Sequence, residues 1–465
     1  MKYIVFSFEG EGLPVAWRLQ QEGCEVLVGV VTDSRLTLSN KEHGDGSEED
    51  DAKERRLRLF DGMLNKLPAD EVIEQMTHIQ NKDEYFVLFE MNSLFHYAQR
   101  VQQMGFQGNF PTLEDYNFEI DRFAAKEFAK KHFPDLNIQE THTFSTIAEA
   151  EEFLKNTDII WVIKGFDSMA NVYLPQATTS AAASEELIAA LHRYREVYER
   201  SGFLLERYII NAIEVTPGRM YYDGVLLGET VNFENKTIGE KGSGAQSGCS
   251  GDLVFSVEQA SKICQVTFPK IVDEMARAHS GLFIWDASLY IDPQTKEIFF
   301  GEFLPNRPGY NVFYNQLTQQ SSLNSFFESV IHKQNPFDET VVGVSTRIFN
   351  LDTAEDGCPV AEKAVQYSGN DKNFWPMDVY EKNGQLVTCG YDMNLAAITG
   401  AGSSIAAAVA DMRSALEQFQ CDKTHYRSVD DFTSHDYSTA VLKRAKFCID
   451  AGLLAVPQAI LEGLV

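Results

Sequence analysis

The stretch 284–311, IWDASLYIDPQTKEIFFGEFLPNRPGYN, holds two strand-like segments that each carry an acid and lead into a crowded polar turn. IWDASLYI and EIFFGEF alternate or run apolar as strands do, and the PQTK between them is typical of a hairpin loop. The sequence therefore predicts a β-hairpin around which the rest of the chain is organised.

The two acids of this hairpin are candidate metal ligands. Asp286 and Glu302 fall on neighbouring strands, where two hard carboxylates can bind a Mg²⁺ ion that also holds phosphate oxygens. The turn supplies Asn306, Arg307 and Asn311, and arginine has the planar fork that best fits a transferring phosphoryl group. The alternative is a hairpin whose acids lie on a solvated face, and the other segments of the chain weigh against it.

Composition narrows the class of protein. With 465 residues, 44% of them hydrophobic, the chain is long enough for about three domains with large cores. No apolar run approaches a membrane span and the N-terminus lacks a cleavage-type end, so we expect a soluble cytoplasmic protein. Seven cysteines without a CxxC pair argue against a disulfide framework and a zinc site. A net charge of -28 disfavours nucleic-acid polymers and anionic membranes, so we expect small-molecule partners.

The N-terminal segment predicts a βαβ unit and hence a parallel sheet, in a first α/β domain over residues 1–110. Gly10 and Gly12 allow a ligand to approach the helix N-terminus, where backbone N–H groups favour anions. Glu9 and Glu11 flank these glycines and work against phosphate, so a tight turn without a ligand is the alternative. The charged stretch from position 40 predicts a loop or lid, and the strand YFVLFE ends at Glu90.

Four charged residues lie within or at the ends of predicted elements in the central part of the chain. Lys126 lies in the helix DRFAAKEFAKKHF, and Lys164 ends the apolar strand IIWVIKG, where it is a candidate ligand of phosphate. Glu206 ends the strand FLLERYI, and Glu214 begins the next strand. Acids at such positions can accept hydrogen bonds from ribose hydroxyls, although exposed glutamates without a ligand are commoner.

The segment NKTIGEKGSGAQSGCSGD, residues 235–252, contains five glycines and lies between two strand-rich segments. So much glycine without a core residue indicates a loop that approaches or closes on a ligand. A flexible linker is the alternative, which the position within one predicted domain disfavours.

In this order the segments resemble the ATP-grasp superfamily, and within it most of all phosphoribosylamine–glycine ligase, over nearly the whole chain. KEFAKKHF resembles the family's SKxFxKxF helix, WVIKG its VIKAD strand, and LLERYIINAIE its adenine-side segment. The glycine-rich segment resembles HKRxGDxDxGPNTGGMGA, GEFLPNRPG resembles EFNxRFG, and HYRSVDDF resembles the final YRxDIG. Six motifs in register carry the comparison better than any one of them.

The resemblance implies an ATP-grasp fold of mixed α/β and α+β class. It places an N-terminal parallel α/β domain at 1–110, an ATP-grasp domain of two lobes at 111–335 and a C-terminal domain at 336–465. It implies ATP and Mg²⁺ (or Mn²⁺) as cofactors, and an acyl phosphate that an amine attacks, with closure of the loop keeping water away. No nucleophilic side chain is required for this chemistry.

The resemblance also assigns roles to residues. Lys126 and Lys164 would contact ATP phosphates, Glu206 would lie by the adenine and Glu214 would hold the ribose. Arg307 would be catalytic, on the phosphoryl group. The implied metal ligands are Asp286, Glu302 and, as third, Asn306 or Asn311. The implied substrate contacts are Gly10, Gly12, Glu90, Lys236, Ser247 and Gly248.

Several motifs depart from the family pattern. GGREHA is GEGLPVA here, GPE is LFE with only Glu90 kept, the glycine turn after the second lysine is FDSMAN, and TGGMGA is SGCSGD. Between Glu302 and Arg307 the spacing is one residue longer. We therefore predict an ATP-dependent carboxylate–amine ligase that joins an amino acid such as glycine to an amine other than phosphoribosylamine. The alternatives are the authentic phosphoribosylamine–glycine ligase and a degenerate nucleotide-binding scaffold. The sequence does not identify the substrates or the oligomeric state.

Overall fold

The computed structural model describes residues 1–32, 50–165, 172–308, 311–354, 357–433 and 440–464. The predicted FDSMAN turn, residues 166–171, lies outside these ranges, as do residues 40–49 of the predicted N-terminal loop, whose remaining residues from Asp50 onward are helical. No helix of the described residues is both long enough and apolar enough to cross a bilayer.

The N-terminal part is a parallel five-stranded sheet in the order β3-β2-β1-β4-β5. The predicted βαβ opening is confirmed, because β1 and β2 pair in parallel across α1. β1 has five buried residues in succession, as expected for a strand covered on both faces. Its strands are β1 Lys2–Ser7, β2 Val26–Val30, β3 Lys66–Pro68, β4 Tyr85–Phe89 and β5 Gln107–Gly108, and its helices are α1 Leu13–Gln21, α2 Asp50–Arg58, α3 Ala69–Met76 and α4 Phe95–Gln102.

A small sheet forms a separate body after the helices α5 Leu113–Ile120 and α6 Arg122–His132. It is antiparallel, with the order β6-β8-β7, and its core of residues such as Trp161, Leu187 and Phe203 is distinct from the main core. Its elements are β6 Thr141–Thr143, α7 Ile147–Lys155, β7 Trp161–Gly165, α8 Ser180–Arg193, α9 Arg195–Ser201 and β8 Phe203–Arg207.

A nine-stranded antiparallel sheet is the largest element of the fold. Its order is β13-β12-β9-β10-β11-β14-β19-β16, and β21 adds to β14. β11 pairs with β14, so the sheet runs across position 335. Its strands are β9 Ile213–Tyr222, β10 Val225–Thr237, β11 Gln246–Ser256, β12 Leu282–Ile291, β13 Ile298–Pro305, β14 Val342–Asn350, β16 Phe374–Pro376, β19 Asn394–Gly402 and β21 Thr424–Tyr426.

The remaining elements cover this sheet. α12 contacts β11, β14 and β19, and α14 packs on β19. The helices are α10 Lys262–Thr267, α11 Lys270–Ala278, α12 Asn311–Thr318, α13 Leu323–Ile331, α14 Ile405–Leu416, α15 Val441–Asp450 and α16 Gln458–Leu464. Two short ribbons pair β15 Gln366–Tyr367 with β20 Phe419–Gln420, and β17 Val379–Lys382 with β18 Gln385–Thr388.

Candidate active site

The predicted hairpin is confirmed as β12 and β13, which pair antiparallel and bring Asp286 and Glu302 to the same face. Ser288 lies opposite Glu302 and Asp286 lies opposite Leu304, so the two acids are diagonal neighbours across the pair. All four side chains line a cavity of about 390 Å³. The carboxylates therefore face a space in which a ligand can lie.

Asp286 presents its carboxylate to the cavity. None of the described residues donates a hydrogen bond to its carboxylate or forms an ion pair with it, and Gly218 leaves the space that its Oδ1 occupies. Burial, with a smaller contribution from Glu234, raises the pKa of Asp286 to about 7. Glu302, 30% exposed, has Arg122 at 3.5 Å. A dehydrated carboxylate without a partner gains most from a metal ion or a cationic group.

Arg307 points into the same cavity from the turn after β13. Its guanidinium lies 2.5 Å from Glu119 and 3.8 Å from Glu11. The arginine is thus held between two acids at the wall of the cavity, where its fork can meet an oxyanion.

Asn306, predicted as a metal ligand, is not brought to the cavity. Its side chain is fully buried, its Oδ1 accepts a hydrogen bond from the N–H of Ile284 at 3.1 Å, and its Nδ2 donates to Asp115 at 2.9 Å. Its φ of +54° places it in the left-handed region, which asparagine tolerates. The extra residue before Arg307 therefore closes the hairpin end and leaves Asn306 without a free ligand atom. Asn311 begins α12, and its side chain lies outside the described residues.

Lys126 and Lys164 converge on one carboxylate, that of Glu206. Lys126 Nζ forms an ion pair with Glu206 Oε2 and donates to Thr141 at 2.6 Å, while Lys164 Nζ lies 2.5 Å from Glu206 Oε1. Burial alone would raise the pKa of Glu206, but the two ammonium groups hold it below its ordinary value. Lys164 also lies 5.7 Å above the ring of Tyr290 on β12, so this cationic pair faces the nine-stranded sheet.

Glu214 and Lys236 meet beside the hairpin. Lys236 Nζ lies 3.3 Å from Glu214 and 2.8 Å from Glu234, and Ser288 donates to Glu214 at 3.0 Å. Burial opposes the charge of Glu214, but Lys236 and the hydroxyl of Ser288 lower the pKa of this acid. The acid predicted to hold the ribose is therefore ionised and bonded to Ser288, which lines the cavity.

The glycine-rich segment lines the cavity, but it is a loop only in part, because β10 extends to Thr237 and β11 begins at Gln246. Lys236, Ser247 and Gly248 all lie in its wall, and Gly248 has a φ of +73° that glycine adopts readily. The hydroxyl of Ser247 donates to the carbonyl of Lys236 at 3.3 Å.

Arg347, on β14, also lines the cavity, and the sequence reasoning missed it. It is only 5% exposed and lies in the apolar segment VVGVSTRIFN. The signal that could have identified it is a charge within an otherwise buried strand, because such arginines are rare unless they bind an anion or an acid.

Glu90 is not a free substrate contact. Its carboxylate accepts hydrogen bonds from the N–H groups of Phe8, Glu9 at 2.7 Å and Gly12 at 2.6 Å, and the side chain is fully buried. Gly10 turns the loop with a φ of +95°. The backbone N–H groups of Phe8, Glu9 and Gly12, which could otherwise bind an anion before α1, are thus satisfied by the protein itself.

The donor set fits Mg²⁺ in part. No group of three acid, histidine or cysteine side chains among the described ranges is arranged to hold a metal. Two oxygen-donor acids on one face, one of them without a partner, suit an ion that commonly takes one or two carboxylates together with substrate phosphates.

No protein-family model matches the chain, and no curated protein matches it in sequence. Solved structures do match. Phosphoribosylamine–glycine ligase from Thermotoga maritima has a TM-score of 0.60 at 15% identity and covers 92% of this chain and 99% of its own. Biotin carboxylase from Campylobacter jejuni, solved as a β-γ-ATP complex, has 0.59 at 12%, covering 95% and 98%. The biotin carboxylase domain of Hydrogenobacter thermophilus 2-oxoglutarate carboxylase, solved with MgADP and bicarbonate, has 0.56 at 13%, covering 98% and 96%.

The protein therefore has the ATP-grasp fold, with the mixed parallel and antiparallel sheets that the sequence predicts. It shares this fold over nearly its whole length with structures of phosphoribosylamine–glycine ligase and of biotin carboxylase.

Proposed function

We propose that the protein is an ATP-dependent ligase that activates a carboxylate as an acyl phosphate and transfers the acyl group to an amine. One observation carries the proposal: Asp286 and Glu302 face one cavity together with Arg307. An oxygen-donor pair beside an arginine is the arrangement that phosphoryl transfer requires, because the transferring group spreads negative charge over its oxygens.

Each residue has a separate task in this reaction. Lys126 and Lys164 bind phosphate oxygens once these oxygens replace Glu206 as counter-charge. Arg307 donates hydrogen bonds to the phosphoryl group during its transfer, and Glu214 accepts a hydrogen bond from a ribose hydroxyl. Mg²⁺ held by Asp286 and Glu302 would supply charge neutralisation at the phosphates when bound. The walls of the cavity keep water away from the activated carboxyl group.

The loop between β1 and α1 supports an acceptor other than phosphoribosylamine. Glu90 occupies the backbone N–H groups that would otherwise receive a phosphate, and Glu9 and Glu11 add negative charge beside them. A sugar phosphate would meet repulsion from these acids and would find the N–H groups of Glu9 and Gly12 already bonded to Glu90, whereas an ammonium group would be attracted. The acceptor is therefore proposed to be an amine without a phosphate next to its reacting nitrogen.

A nucleotide-binding scaffold without ligase activity is the second candidate. Its specific support is the burial of Asn306, which leaves two acids rather than three ligands at the metal side. An authentic phosphoribosylamine–glycine ligase would have to bind a phosphate elsewhere than on the amides that Glu90 fills.

Hydroxylamine provides a test that does not require the natural amine. It attacks acyl phosphates directly, so purified protein with ATP, MgCl₂ and hydroxylamine can be screened with glycine and other amino acids singly. Hydroxamate formation and ADP release are measured together. Glu302→Gln and Asp286→Asn should abolish both, whereas Glu297→Gln, an exposed acid at the tip of the same hairpin, should retain them.

The outcomes separate the candidates. Carboxylate-dependent hydroxamate formation that Glu302→Gln abolishes supports the ligase. Absence of hydroxamate with every carboxylate, while ATP still raises the melting temperature, supports the scaffold. Formation of glycinamide ribonucleotide from glycine and phosphoribosylamine at an ordinary enzymatic rate would show that the acceptor proposal is wrong.

A further inference from the structure

Glu11 extends from the loop between β1 and α1 to the wall of the cavity. Its side chain is 21% exposed, yet its Oε2 atom is shielded from solvent and has no hydrogen-bond partner among the described residues. The nearest cation, Arg307, is 3.8 Å from this atom, which is too long for a hydrogen bond. Glu11 Oε2 is therefore a buried acceptor atom at the cavity wall with no donor among the described residues.

The backbone around Glu11 is fixed in place from both sides. The hydroxyl of Tyr314, on α12, donates to the carbonyl oxygen of Glu11, and the ring of Tyr314 stacks on Trp375 at 5.0 Å. On the other side Glu90 binds the N–H groups of Glu9 and Gly12. A carboxylate on a backbone held this firmly is positioned before any ligand arrives.

Burial raises the pKa of Glu11 to about 7, against the attraction of Arg307 and Arg347. Glu90 and Asp392 add to the increase, and Glu9 and Tyr314 also face the group. Carboxylates with ordinary pKa values are weak bases, so an increase to this range suits proton removal near neutral pH.

We propose that Glu11 binds the ammonium group of the acceptor and removes its proton before the amine attacks. This role rests on the proposed ligase function. An ammonium ion has no free electron pair, so the acceptor is inert until one proton leaves. The substrate class is a primary amine that is protonated at neutral pH and carries no phosphate at its reacting end.

In this acyl transfer, one proton first passes from R–NH₃⁺ to the Glu11 carboxylate, which becomes a carboxylic acid. The freed electron pair attacks the acyl carbon, a C–N bond forms, and the C–O bond to phosphate breaks with its electrons leaving on phosphate. The second proton on nitrogen passes to the departing phosphate, and Glu11 later releases its proton to solvent.

Two kinds of amine distinguish this role from a structural one. Hydroxylamine is largely unprotonated at neutral pH and needs no base, whereas ethanolamine, putrescine and spermidine are protonated. We compare Glu11→Gln with wild type for hydroxamate formation and for amide formation from whichever protonated amine wild type uses fastest. Glu71→Gln, an exposed acid on α3, is the matched control.

Glu11→Gln should lose about 10²–10⁴-fold in amide formation while keeping hydroxamate formation. Its remaining amide formation should lose the dependence on a group titrating near neutral pH. Equal loss with both amines, no loss with either, or a wild type that uses hydroxylamine but no protonated amine would each overturn the proposal. A wild type that forms no hydroxamate would instead refute the ligase function itself.

Discussion

Glu90 Oε2 accepts a hydrogen bond of 2.6 Å from the backbone N–H of Gly12, so an internal carboxylate caps the loop that opens α1. Backbone amides at a helix N-terminus are a ready site for anions. In this protein the Glu90 carboxylate takes the place of such an anion. Because the N–H groups of Phe8, Glu9 and Gly12 are bonded to Glu90, these donors are closed to a second anion, which distinguishes the loop from an open phosphate site.

Glu90→Ala should empty this position. The variant loses three hydrogen bonds to a charged acceptor, and we expect its free energy of unfolding to fall by about 1–3 kcal/mol or more. Phosphate or sulfate should then raise the melting temperature of Glu90→Ala and leave that of wild type unchanged. Equal responses of the two proteins to phosphate would contradict the closed-loop interpretation.

Glu206→Gln should leave two neighbouring ammonium groups without their shared counter-charge. Both lysines and Glu206 are buried, and loss of one partner from such a group costs about 3–5 kcal/mol. ATP should restore part of this loss, because its phosphates can take the place of Glu206. The measurement is the melting temperature with and without ATP, and Glu199→Gln, an exposed acid on α9, is the control. A smaller ATP response in the variant than in wild type would contradict the assignment of both lysines to phosphate.

Arg427→Lys should loosen the glycine-rich segment. Arg427 donates to the carbonyl oxygens of Thr237 at 2.9 Å and Gly239 at 2.6 Å, and Asp431 holds its Nε at 2.7 Å. Lysine keeps the charge, but its single ammonium group cannot take the place of Nη1 at both carbonyls and of Nε at Asp431 at the same time. We expect faster hydrogen exchange across residues 237–246, with Arg413→Lys, in an exposed ion pair, exchanging like wild type. Unchanged hydrogen exchange in Arg427→Lys would show that the conformation of the segment does not depend on Arg427.

His279 should make stability depend on pH. Burial disfavours its charge, but the Asp115 carboxylate, 3.0 Å from Nε2, outweighs this and raises the pKa of His279 above its ordinary 6.5. The folded protein then binds the proton more tightly than the unfolded chain does. The stabilisation is fully present below pH 6.5 and is lost as the pH rises through the higher folded pKa.

Urea unfolding between about pH 5 and pH 9 measures whether stability falls as the pH rises, as expected. The free energy of unfolding of His279→Gln should fall below that of wild type at low pH, and the difference should shrink as the pH rises. His78→Gln, an exposed histidine, should keep the wild-type dependence. A difference that grows with pH would mean that the ring is neutral in the folded protein.

Local sequence patterns predicted the structural features that depend on residues close to one another in the sequence. The hairpin of β12 and β13 was predicted from alternation and its turn, and its acids share a face because strands repeat every two residues. The pairing of Glu206 with Lys126 joins residues 80 positions apart, and no local pattern encodes such a contact. Arg347 was missed although its charge within an apolar segment was a local signal, because its place in the cavity wall depends on segments that are distant in the sequence.

Asn306 shows the opposite error. The family motif assigned Asn306 to the metal, but the turn before Arg307 is one residue longer here. The Asn306 amide forms its hydrogen bonds inside the end of the hairpin. The residue type was compatible with metal binding, and the backbone conformation was not. Spacing within a turn changes the direction of every side chain in it, which a motif comparison does not register.

The pairing of β11 with β14 has a consequence for how this chain can be divided. A protein cut after position 335 would keep β11 as an open edge, with four residue pairs of its ladder removed and its backbone groups ready to join another molecule. Removal of the C-terminal part at this position would therefore expose an edge of the largest sheet. The small sheet, by contrast, packs around a core of its own.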